Sequence, residues 1–109
     1  MLNIDHNAHF TRAVTFAVPD GATVKSETAT VMFKVLRISH IRGFDFTTAE
    51  GVDSFLNDAV MRIDDLVDGD GGPVEWSPEV KQTVFDFPWA RDALIMAYWK
   101  GQREDAAKN

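Results

Sequence analysis

A chain of 109 residues, 45% hydrophobic and 26% charged, has the size and mixture of one globular domain, which argues against wholesale disorder. Its net charge of −6 repels phosphate backbones, so no nucleic-acid partner is expected. With no cysteine it has no disulfide, no thiolate metal site and no thiol nucleophile.

The first residues, MLNIDHNAHFTR, lack the basic region and apolar run of a signal peptide. No apolar stretch approaches the roughly 18–20 residues that span a bilayer. The expectation is a soluble protein of the cytoplasm with no membrane partner. His6 and His9 stand in an HxxH spacing, which in an N-terminal segment reads as a solvated pair before it reads as zinc ligands.

From residue 12 the pattern is that of strands. RAVTFAV (12–18) sets Val14, Phe16 and Val18 against Arg12, Thr15 and Ala17. Pro19-Asp20-Gly21 breaks the run. ETATVMFKVLRI (27–38) places Val31, Phe33 and Val35 on one face and Thr30, Met32, Lys34 and Leu36 on the other. Residues 12–38 are therefore predicted as an antiparallel β-hairpin, which needs a partner to pack on.

The link SHIRGFDF (39–46) has no clear period and carries His40, Phe44 and Phe46, with no sequence partner in view for the histidine. TTAE (47–50) fits a capping box in which Thr47 caps and Glu50 reaches back. One amphipathic helix is predicted over 47–67, burying Val52, Phe55, Leu56, Ala59, Val60, Ile63, Leu66 and Val67, with Gly51 weakening its first turn.

DGDGGPVEWSPE (68–79) poses a choice between calcium loop, phosphate loop and turn. Asp68, Asp70 and Glu79 superficially match calcium-loop positions, yet Pro73 stands where the sharp-turn glycine belongs, and Val74 and Trp76 stand where oxygen ligands belong. The acids repel phosphate, and no basic residue follows the glycines until Lys81. A turn that ends the long helix is the remaining reading. Ser77-Pro78-Glu79 then starts a short helix to about Phe85, and Pro88 separates it from a last helix ending near Glu104. The C-terminal helices thus occupy 77–104.

The predicted whole is a single α+β domain over 1–109, an N-terminal antiparallel hairpin or small sheet packed against about three C-terminal helices. No nucleophile motif, nucleotide fingerprint or cofactor signature is present, and the acids of 64–70 read as a solvated helix face, so a non-enzyme is expected.

The last helix is the anomaly. On a wheel of 89–104, Ala90, Leu94, Ala97 and Gly101 form a narrow small-residue stripe with Ala93 and Tyr98 at its edges. Ile95 and Trp99 fall nearly opposite, and Trp89 and Met96 on a third side. A helix apolar nearly all round is buried on more than one side. The stripe is expected to face the domain, leaving Trp89, Ile95, Met96, Tyr98 and Trp99 as candidate protein-interaction residues.

Residues 68–99, DGDGGPVEWSPEVKQTVFDFPWARDALIMAYW, resemble small tail assembly chaperones of long-tailed bacteriophages and prophages. The likeness lies in the order of acidic glycine turn, Gly-x-Pro-Val, aromatic, Ser-Pro-Glu, short helix and Arg-x-Ala-Leu-Ile-x-Ala-Tyr. Two positions depart: Leu66-Val67 stands where a Trp is frequent, and Trp76 where Phe is usual. The resemblance implies a non-enzymatic factor without cofactors that binds the tape measure protein and tail tube protein in the host cytoplasm and leaves the mature virion. It also implies a frameshifted longer product in some members. Self-association through the same helix face is an equally physical use. A small regulatory or structural interaction protein, antitoxin-like or a virion adaptor, is the alternative; a hydrolase built on the aspartates or histidines is a third.

Overall fold

The structure is a computed structural model that describes residues 1–4 and 8–108, with side chains as far as Gln102. Two long strands, β1 (His9–Asp20) and β2 (Thr23–Lys34), pair antiparallel along their whole length around a tight turn at Gly21, whose φ is +62°. The strands run through Pro19 and Asp20, where the sequence reading breaks the first run, and turn only at Gly21-Ala22. Phe10, Val14 and Phe16 of β1 and Ala29, Val31 and Phe33 of β2 share the buried face. Arg12 has the parity of Val14 and lies half-buried on that face, not on the polar one. Its guanidinium donates to Gly101 O at 2.9 Å and sits over the Phe10 ring.

After a single turn, α1 (Ile38–Ile41), comes α2 (Ala49–Ala59). The predicted helix 47–67 ends here. Residues Val60–Asp64 form β3, which pairs antiparallel with β2 through Val31↔Ile63 and Met32↔Arg62, then skips to Phe33↔Val60. The skipped Met61 is a bulge that turns Val60 and Ile63, three residues apart, onto one face. That spacing is also helical, which is why the sequence pattern runs on unbroken. The β2 edge decides between them, because Val31–Phe33 needs a partner on its second side.

The helix cap is displaced by one residue from expectation. Thr48 is the N-cap and accepts from Gly51 N at 3.0 Å, while Thr47 N donates to Asp45 Oδ1 at 2.9 Å. Gly51 has a packing reason: a Cβ there would lie 1.7 Å from the Asp45 carbonyl oxygen.

Asp65, with φ +65°, turns the chain out of the sheet into a two-residue hairpin, β4 (Leu66–Val67) and β5 (Pro73–Val74). The aspartate-glycine stretch is a turn as expected, but it closes this hairpin instead of ending a helix. Asp68 Oδ1 accepts from Asp70 N and Gly72 N, both at 2.9 Å, and Gly71 takes φ +82°. Next come α3 (Pro78–Phe85), capped by Ser77 on Val80 N, and α4 (Pro88–Lys108), which runs beyond the predicted end.

The protein is α+β: a three-stranded antiparallel sheet, ordered β1-β2-β3, backed by helices that lie mostly C-terminal to it. α4 crosses the sheet along β1, and α2 packs beside it. The core between them is aromatic. Phe10 and Phe33 stack at 5.2 Å, and the Tyr98 ring meets Phe33 at 5.6 Å and Phe55 at 5.2 Å.

Candidate protein-interaction face

α4 is placed by its small-residue stripe. Ala90, Leu94 and Gly101 are buried and Ala97 is half-buried, so the helix axis comes close to β1. A Cβ on Gly101 would stand 2.8 Å from Phe10 Cε2. Arg91 fixes the rotation about that axis by pairing with Asp53 and donating to Ala49 O and Phe85 O, which ties α2, α3 and α4 together. The face one and two turns on from Arg91, Ile95 and Trp99, is thereby aimed at α2.

The five candidate residues fall into three environments. Tyr98 is fully enclosed, and its hydroxyl accepts from Leu36 N at 2.9 Å. It is a core residue, so its place among the surface contacts is corrected here: burial of the stripe carries Tyr98, at the stripe's edge, inward with it. Desolvation raises its pKa above the ordinary tyrosine value, with the Leu36 amide pulling the other way. Trp89 and Ile95 are half-buried. Trp89 meets Phe16 edge-on at 6.1 Å and stacks on Phe87 at 5.1 Å.

Met96 and Trp99 remain at the surface, Met96 71% and Trp99 36% exposed. The Trp99 ring lies parallel to the buried Phe55 ring, 10° between planes at 6.2 Å, so one of its faces is supported from below. Phe46 meets the same Phe55 from the α1–α2 link at 5.0 Å and is 39% exposed. No pattern in the link 39–46 joins Phe46 to this face. In the fold Phe46 and Trp99 both meet Phe55.

The other sequence candidates are engaged elsewhere. His9 opens β1, and His6 lies outside the described residues. His40 does have a carboxylate partner: its Nε2 is 2.8 Å from Asp58 Oδ2, in a pair about half exposed that links α1 to α2. Asp64 pairs with Arg62, Asp65 accepts from Thr30, and Asp68 holds its turn. Among the described residues no group of three or more His, Cys, Asp or Glu is gathered to hold a metal ion. Among them, too, no helix is long and apolar enough to cross a membrane.

No protein-family model, curated protein or solved structure matches this chain.

Proposed function

We propose that this protein is a non-enzymatic assembly chaperone of long bacteriophage tails, binding the tape measure protein and tail tube subunits reversibly through the outer face of α4. One observation carries the reading. Met96 and Trp99 are exposed on the outer side of α4, and the Trp99 ring lies parallel to the buried Phe55 ring that Phe46 also meets. A supported aromatic beside a flexible thioether suits the apolar side of a foreign helix, since the indole loses little freedom on contact and methionine adapts to the partner's shape. The order of residues in 68–99 directs that general binding role to tail assembly. The net charge of −6 keeps a binder of aggregation-prone chains soluble.

The test is co-expression with a tape measure fragment, followed by co-purification. Capture by the wild-type chain, lost on Trp99→Ala and Met96→Ser with thermal unfolding still cooperative, supports the assignment. Equal capture by the variants removes α4 from it. Absence of capture, with a stable monomer throughout, favours the small regulatory or structural interaction protein.

A further inference from the structure

A second opening lies around Trp89, at the far end of α4 from Trp99 and roughly 15 Å away along the helix at 1.5 Å per residue. Two adjoining cavities of about 190 and 320 Å³ share Leu66, Val67 and Val84 as walls. The first is completed by Phe16, Ala29, Ile63 and Trp89, the second by Val74 and Val80. Val67, between the two, is 65% exposed.

The cleft exists because the sheet is stepped. β2 pairs with β1 from Thr23 to Lys34, but β3 covers only Thr30 to Phe33. At Asp65 the positive φ, secured by Thr30 Oγ1 donating to Asp65 Oδ2 at 3.0 Å, swings the chain away before it can extend the ladder. Among the described residues, 23–29 of β2 have a strand on one side only, and Glu27, Thr28 and Ala29 of that edge line the cleft. An unpaired strand edge beside an apolar trough is the geometry of strand addition, in which backbone bonds give affinity and alternate side chains enter pockets.

The rim has one sign. Glu27, Asp65, Asp68 and Glu79 line the two cavities, and among the described residues no Lys or Arg does. Of these, Glu27 pairs with Lys25 at 3.2 Å at the margin, Asp65 accepts from Thr30 and Asp68 from its own turn, so the rim as a whole carries net negative charge.

We propose that this cleft docks an extended segment of another protein, which adds as a strand beside residues 23–29 of β2, sets alternate apolar side chains against Leu66, Val67 and Trp89, and carries Lys or Arg on its other positions. This inference is independent of the tail-assembly reading and of the Met96/Trp99 face.

The probe is a short capped peptide of alternating Val and Lys, titrated into the isotopically labelled full chain and followed by backbone amide shifts. Matched peptides of alternating Val and Glu, and of the same Val and Lys in two blocks, serve as controls. Expected are saturable shifts confined to residues 23–29, 65–68, 84 and 89, weakening with added salt, and much weaker binding by both controls. Val67→Lys, at an exposed position, should weaken binding about tenfold or more, the size of one well-buried contact. Trp99→Ala should leave it unchanged. Absence of binding, shifts centred on Met96 and Trp99, or equal binding of the blocked peptide overturns the proposal.

Discussion

The backbone amide of Leu36 donates to the Tyr98 hydroxyl at 2.9 Å, joining the end of the hairpin to the last helix across 62 residues of chain. Both residues are buried, so the bond has no water to replace it. Tyr98→Phe keeps the ring contacts with Phe33 and Phe55 and leaves the amide without an acceptor. The expected loss is about 1–3 kcal/mol, the cost of an unsatisfied buried donor, read from chemical denaturation. An unchanged midpoint would mean that this bond does not hold the hairpin to α4.

The same tyrosine sets an alkaline limit. Burial raises its folded pKa above the ordinary 10.0, so the fold favours the protonated form. Its contribution is complete below about pH 10, where the unfolded chain begins to ionise, and is lost as pH climbs through the raised folded value. Stability measured from pH 9 upward should fall more steeply in the wild type than in Tyr98→Phe. Parallel slopes would remove Tyr98 as the source.

Gly51 offers a test of the α1–α2 link. Alanine in a helix ordinarily gains about 1 kcal/mol over glycine. Here the added Cβ would collide with the Asp45 carbonyl at 1.7 Å, and the obstacle is backbone, which cannot rotate aside. Gly51→Ala should therefore destabilise by at least about 2 kcal/mol, as overpacking does. A stabilised variant would show that the link does not pass so close to the helix.

Asp45 titrates at the acid end of that link. The Thr47 hydroxyl, and then the Thr47 amide, hold its carboxyl below the ordinary value. The bonds stabilise the folded state above the unfolded pKa and are lost as pH falls through the lowered one. Asp45→Asn should flatten the acid limb of the stability profile below about pH 4 and leave its slope above that pH unchanged.

Much of this fold is legible along the chain. The alternation of Val14, Phe16 and Val18, the Ser77-Pro78 start and the Ala90/Leu94/Gly101 stripe each reflect one local rule, and each holds. The passage from α2 to β3 does not, because the bulge at Met61 gives buried Val60 and Ile63 a spacing that two structures share. Which applies depends on the β2 edge, some 30 positions earlier in the chain. Arg12 shares the parity of Val14 and is half-buried, and its charge gives no sign of that in the sequence. Tyr98 looked like a surface aromatic because a wheel shows where a side chain points and not how wide the covering layer is. The trough at Leu66 and Val67 follows from a step between strands and has no sequence signature.

The central claim is that the Met96/Trp99 face of α4 is the surface another polypeptide covers. Its most direct test is the indole N–H signal of Trp99, assigned by its loss in Trp99→Phe and followed while a tape measure fragment is added. The account predicts that this signal shifts and becomes protected from solvent exchange as complex forms, while the Trp76 indole stays in place. A complex that leaves the Trp99 indole unmoved and freely exchanging would contradict it.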